Sequence, residues 1–210
     1  MTGGLLGDDQ SLSDTIVNGN FSGQSGNDVE VQGCRIVNSQ FTGAKLNRLR
    51  LTDVLIENSD LSGADFDEST FTRVEFRECR MSGAIFSQCR LSEVLVTRCR
   101  VDEANFRMCE ASAVAFDGVD LHGSDFYAAH LDGTQFFDCN LTGAQFSKAS
   151  TLGVRFHGST MFDLRGSPDL AGAVIDSSQV LPVALGVLSA IHIEVNDERE
   201  PPDSTNQKAR

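Results

Sequence analysis

From Ile16 to Met161 a large apolar side chain returns at nearly every fifth residue. The run is Phe21, Val31, Ile36, Phe41, Leu46, Leu51, Ile56, Leu61, Phe66, Phe71, Phe76, Met81, Phe86, Leu91, Val96, Val101 and Phe106, then Phe116, Leu121, Phe126, Leu131, Phe136, Leu141, Phe146, Phe156 and Met161, with lapses at Gly26, Ala111 and Thr151. Twelve of the fourteen phenylalanines fall in this register, so it cannot be chance patterning. Amphipathic helices repeat every 3.6 residues and half-buried strands every 2, and neither places apolar groups five apart. Two residues before each large position stands a small or compact one, such as Cys34, Ser39, Ala44, Val54, Ser59, Ala64 and Cys79, while the residues between are polar. Two inward positions in five, one large and one small, describe short straight segments joined by tight corners.

A longer period sets the number of corners. Gly23, Gly43, Gly63, Gly83, Gly123 and Gly143 recur at multiples of twenty, in phrases such as Thr42-Gly43-Ala44 and Ser62-Gly63-Ala64. Glycine returning at one corner suits the third position of a type II turn, where φ is positive. Four pentapeptides therefore close one coil, and the expected fold is all-β: a right-handed quadrilateral parallel β-helix whose coils bury their apolar faces only by stacking. At a strand spacing of about 4.8 Å the repeats give a rod roughly 36 Å long. Phe66, Phe86, Phe106, Phe126 and Phe146 are expected to stack in one interior column.

The surface is acidic, with a formal charge of −13 from thirty acids and seventeen bases. That excludes nucleic acid and anionic membranes as direct partners and favours a basic one. Residues 1–17 contain no Lys or Arg and no long apolar run, so no leader peptide is expected and the cytoplasm is the expected compartment. The longest apolar stretch, Val180 to Val195, is interrupted by Pro182, His192 and Glu194 and is shorter than a membrane span. All six cysteines, Cys34, Cys79, Cys89, Cys99, Cys109 and Cys139, occupy the small inward position, which reads as buried reduced thiols. Their spacing is not that of a zinc site. His122, His130, His157 and His192 form no ligand pair, and no nucleophile, Walker or dinucleotide motif occurs, so neither an enzyme, a cofactor nor a metal is expected.

After Met161 the register slips by one residue, with Ala173, Leu170 and Ile175 in the new phase and Pro168 at the disturbance. Leu181 to Leu188 has helical apolar spacing, and Ile191, Ile193 and Val195 alternate with His192 and Glu194 as a short strand would. The expected organisation is a flexible 1–15, a solenoid over 16–178, a helix-plus-strand cap and dimerisation module over 179–195, and a disordered 196–210. Leu181, Leu185, Leu188, Ile191 and Ile193 are the expected contacts of a homodimer, since one coil cannot cover them all.

Residues 16 to 195 resemble the pentapeptide-repeat family. The run Val180-Leu181-Pro182 to Leu188, followed by Ile191-His192-Ile193-Glu194-Val195, is similar to the terminal module of its Qnr, MfpA and albicidin-resistance members. That resemblance implies a rod-like dimer that mimics DNA, binds the DNA-binding saddle of a type II topoisomerase, chiefly DNA gyrase through its A and B subunits, and protects it from quinolones or natural poisons. The Qnr loops that interrupt the ladder have no counterpart here. Beside the resemblance stands the charge map. Met108 to Ser147 contains Glu110, Asp117, Asp120, Asp125, Asp132 and Asp138 and no base, and these six are the expected gyrase-binding acids. The mid-rod arginines Arg73, Arg77, Arg80, Arg90, Arg98, Arg100 and Arg107 weigh against a uniform mimic. The other reading is an acidic protein-interaction scaffold with a different partner.

Overall fold

Hydrogen bonds between residues about twenty apart hold the chain together. Ser11, Glu30, Arg50, Thr70, Arg90, Glu110, His130 and Ser150 stand in one parallel ladder, one residue per level. The computed structural model describes residues 7–195, and all its strand pairs are parallel. The result is a four-sided parallel β-solenoid closed by one C-terminal helix, Val180–Ala190. Its sides are named here in chain order by their inward residues: the first by Phe41 and Leu61, the second by Leu46 and Phe66, the third by Leu51 and Phe71, the fourth by Ile56 and Phe76. Three longer strands, Arg50–Glu57, Thr70–Arg77 and Arg90–Thr97, run without a break from the third side to the fourth.

The inward residues form columns. On the second side Phe66, Phe86, Phe106, Phe126 and Phe146 stack with ring centroids 5.2, 4.9, 5.0 and 5.0 Å apart. Phe116, Phe136 and Phe156 do the same on the fourth side at 5.0 and 5.2 Å. Edge-on contacts such as Phe126 to Phe136, at 82°, lock the two columns together. Thr151 fills its inward position by donating from Oγ1 to the carbonyl of Asp169 at 3.0 Å.

From Gly23 to Asp163 each corner carries one residue in the left-handed region. At the glycine corner the turn is closed by bonds such as Ala44 N–H to Phe41 O at 2.9 Å and Ala64 N–H to Leu61 O at 3.0 Å. At the other corners the same conformation is adopted by Arg48, Asp53, Asn58, Arg73, Glu93, Arg98 and Met108, so stacking overrides the local preference.

The fourth-to-first corner satisfies its backbone differently. Ser39 N–H donates to Ser59 Oγ at 3.1 Å, Cys79 N–H to Cys99 Sγ at 3.3 Å and Cys139 N–H to Ser159 Oγ at 3.0 Å, in each case one coil on. These side chains also donate to buried carbonyls, as Ser59 Oγ does to Glu57 O at 2.8 Å and Cys99 Sγ to Thr97 O at 3.3 Å. Small size alone therefore does not explain the serines and cysteines of this column, which both accept and donate; Val119 is the member that does neither. Gln179 ends the column. Its buried amide donates to the carbonyls of Phe156 and Ser159, and its oxygen accepts from Asp176 N–H at 2.9 Å.

Three sequence expectations are corrected at the ends. The segment over 7–15, expected to be flexible, belongs to the solenoid: Ser11–Ser13 pairs with Glu30–Gln32. Ile16 does not point inward; it is 59% exposed while Val17 is 6% exposed. The cause is a first coil of nineteen residues, in which Val17 pairs with Ile36, followed by a normal coil in which Asn20 pairs with Gln40. The matching slip at the other end has Arg155 opposite Val174. Ile191 to Val195 is not a strand here, because among the described residues no other strand lies beside it to supply bonds. Residues 1–6 and the expected tail over 196–210 lie outside the described residues.

The corner rule is open to test. In Gly63→Ala an added Cβ meets nothing within 4 Å, so only strain is incurred, about 1 kcal/mol. Met108→Gly relieves the same strain on an exposed residue and is expected to gain about 0.5 kcal/mol after the entropy of the added glycine. Urea midpoints at constant slope read both; equal midpoints for wild type and the two variants would refute the rule.

Candidate functional site

The interior offers no room for chemistry. The void running from Leu12 to Phe76 is about 40 Å³ and lined wholly by apolar side chains, against several hundred Å³ for a ligand pocket. All six cysteines are free and buried. Burial pushes the thiols of Cys109 and Cys139 up to about 12, and the contact with Cys99 together with burial raises Cys79. Protonated, enclosed thiols are poor nucleophiles and poor metal ligands. Among the described residues no cluster of His, Cys, Asp and Glu is arranged to hold a metal, and no helix is long and apolar enough to cross a membrane. The candidate site is therefore the outer surface.

On that surface the arginines are locally neutralised. Each of the ten arginines from Arg35 to Arg107 lies within 4.0 Å of a carboxylate. Most pairs span one coil: Arg48 with Asp28 at 2.7 Å, Arg50 with Glu30 at 2.8 Å, Arg73 with Asp53 at 2.6 Å, Arg98 with Glu78 at 2.8 Å. The hydrogen bond from Arg73 holds the Asp53 carboxyl below its ordinary 3.8, and Arg48 and Arg100 do the same for Asp28 and Asp102. Exposed pairs contribute little stability individually. Their effect is electrostatic, since the arginine-rich middle of the rod carries little net charge.

The six acids of the base-free stretch do not form one patch. Asp117 and Asp120 flank the Gly118 corner, and Asp138 occupies that corner one coil on, so these three share the fourth-to-first edge. Glu110 and Asp132 lie on the third side, and Glu110 is paired with Arg90 at 3.2 Å. Asp125 is on the second side, 2.8 Å from Arg107, whose guanidinium lies over the Tyr127 ring at 4.3 Å. Asp120 accepts from Asn140 Nδ2 at 2.9 Å, and Asp132 accepts from Leu152 N–H at 2.9 Å. Two of the six are thus neutralised, and the acid edge is Asp117, Asp120 and Asp138. A four-sided coil distributes consecutive pentapeptides over its sides, so adjacency along the chain does not become adjacency in space.

The C-terminal module leaves an apolar surface uncovered. Val183 packs on the core, and Gly186 passes so close to Ser167 that an added Cβ would lie 2.3 Å from its Oγ. Leu181, Leu185, Ile191 and Ile193 are 66%, 45%, 56% and 49% exposed, and Leu188 is half-buried. Leu185 and Leu188 share a groove with His192, Ile193 and Val195.

The repeat pattern and the coil together decide the family. The model for pentapeptide repeats (8 copies) matches residues 34–73, and the model for the pentapeptide repeat region matches residues 69–146, so that together they span more than half the chain. The chain belongs to the pentapeptide-repeat family. Similar solved structures include full-length QnrB1, a plasmid-mediated fluoroquinolone resistance protein, at 21% identity over 87% of this chain and 98% of that one, TM-score 0.39. HetL, a pentapeptide repeat protein involved in heterocyst differentiation regulation from the cyanobacterium Nostoc sp. strain PCC 7120, matches at 18% identity over 81% and 90%, TM-score 0.26. No curated protein sequence matches the chain.

Paired carboxylates with depressed pKa contribute stability that is present above 3.8 and lost as pH falls through the lower folded-state value. The rod is expected to hold its stability from neutrality down to about pH 4 and to lose it below. Changing Asp53→Asn with Arg73→Gln should flatten that acid limb in thermal melts; a limb of unchanged slope would show that the pair does not contribute.

Proposed function

We propose that this protein is a non-catalytic DNA mimic that binds DNA gyrase in the cytoplasm and protects it from quinolones or a natural gyrase poison. The observation that carries the reading is the neutralisation of every arginine from Arg35 to Arg107 by a neighbouring carboxylate. It weakens the main objection to mimicry, because the bases beside the Asp117, Asp120 and Asp138 edge, Arg98 and Arg100, are already paired with Glu78 and Asp102. A basic saddle that accepts duplex DNA is drawn to such an edge, with a strength that falls as salt rises. The filled interior supports a binding role over catalysis. The exposed Leu181, Leu185 and Ile191 support a homodimer through the C-terminal module, which would place two acid edges on either side of its centre.

The decisive experiment is gyrase supercoiling with added protein, with and without ciprofloxacin or albicidin. Inhibition of supercoiling or rescue from the drug is expected, and absence of both would refute the reading. Asp117→Asn, Asp120→Asn and Asp138→Asn together should weaken gyrase binding by about tenfold and flatten its salt dependence. Asp125→Asn frees Arg107 on another side and should have a smaller effect. Equal losses would mean that no particular edge faces the partner.

For the dimer, Leu185→Asp is expected to give a monomer by light scattering with an unchanged β-sheet spectrum. A wild-type protein that is already monomeric overturns the interface.

A further inference from the structure

The core is not filled evenly along the rod. From Phe106 onward, aromatic rings of the second and fourth sides reach across the axis and close it. Phe106 meets Phe116, Phe126 meets Phe136 and Phe146 meets Phe156, all edge-on, with centroids 5.9, 5.7 and 5.7 Å apart. Nearer the N-terminus the same two sides carry shorter residues. One coil sets Leu46 against Ile56, and the coil before it sets Gly26, which has no side chain, against Ile36. Phe21 and Phe41 belong to the first side, where their rings stack on each other at 4.9 Å and leave the second-to-fourth direction unbridged.

The result is a slot of about 40 Å³ that runs from Leu12 and Val17 in the first coil to Phe66, Phe71 and Phe76 three coils on. Between Phe76 and Phe116 the void has shrunk to about 10 Å³. Every residue along the slot is apolar, so a water entering it would give up its hydrogen bonds without replacement. An unfilled slot also deprives its lining of dispersion contacts, which an apolar guest restores. Size sets the class of guest. A single water needs about 10–15 Å³, and an apolar cavity of about 150 Å³ takes benzene. The slot lies between these limits, too small for a ring and large enough for one xenon atom or a diatomic gas.

We propose that this slot is a dry binding site for one small apolar guest, a monatomic or diatomic gas, held between Leu46 and Ile56. Occupancy stabilises the N-terminal coils by mass action. The firmness of that half of the rod then follows the concentration of the guest. The inference is independent of what the outer surface binds.

Xenon is the probe. Full-length protein with labelled Ile, Leu and Val methyls is titrated with the gas under pressure and followed by proton–carbon NMR. Saturable shifts are expected at the methyls of Ile36, Leu46, Leu51 and Ile56. The methyls of Leu121, Leu131 and Leu141, buried in the phenylalanine-filled coils, should not move. Ile56→Phe supplies on the fourth side the ring that Phe76 supplies one coil on. Loss of the shifts is expected in that variant, with an unchanged β-sheet spectrum. Leu46→Phe fills the slot from the second side and is expected to give the same loss if Ile56→Phe does not fold. The proposal is overturned if the slot methyls stay still in the wild type, or if shifts appear only at surface methyls such as those of Leu185 and Ile191 and rise linearly with pressure. It is also overturned if saturable shifts persist in a folded variant whose slot is filled.

Discussion

Everything in this molecule depends on each coil lending its backbone donors and acceptors to the coils beside it. A single coil has no side-chain contacts able to hold its apolar residues, and a parallel ladder twenty residues apart is a poor structure until its neighbours exist. Once they do, the ladder is strong enough to hold arginine, glutamate and methionine in the left-handed conformation at corner after corner. The same requirement explains the Ser/Cys column. Where the turn does not close on itself, the buried N–H must be met from the next coil, and serine and cysteine answer that need alike by accepting it and donating onward to a carbonyl. Gln179 applies the same chemistry at the point where the next coil is missing.

Electrostatics on such a rod is a matter of sides and levels. A charge has its neighbours twenty residues away on the same side, and only secondarily those two residues along the chain. Arg48 finds Asp28, Arg73 finds Asp53 and Arg98 finds Glu78 by this rule. A long arginine-rich stretch is thereby rendered nearly neutral, while three aspartates at one corner stand outside the ion pairs. A functional reading from linear charge density alone mislocates both features.

The coil, its four sides and the Phe66 to Phe146 column were legible from the five- and twenty-residue periods, because an interior that admits one large and one small residue per side leaves an unambiguous imprint. The shift at Leu170 and Ile175 was legible for the same reason. The shift near Asn18 was hidden, since Ile16 and Val17 are both apolar and either could be read as inward; only the pairing of Val17 with Ile36 chooses between them. The strand expected at Ile191 to Val195 shows the complementary failure. Alternation records what a segment can pair with, and in one chain there is nothing there to pair. The acid stretch was visible in the sequence, but its division among sides required the map of corners.

The two nineteen-residue coils have a consequence for how such a rod can change in length. Between them every coil has the same twenty-residue register and meets its neighbours through equivalent contacts, so a unit of four pentapeptides is geometrically interchangeable with the next. The offsets at Asn18 and beyond Arg165 isolate the ends from that series, as the end fittings of a column stand apart from its drums. A lineage carrying this architecture can therefore gain or lose whole drums, each changing the length by about 4.8 Å, while the terminal helix and its supports remain as they are. The distance between two bound surfaces becomes an inherited quantity counted in whole coils.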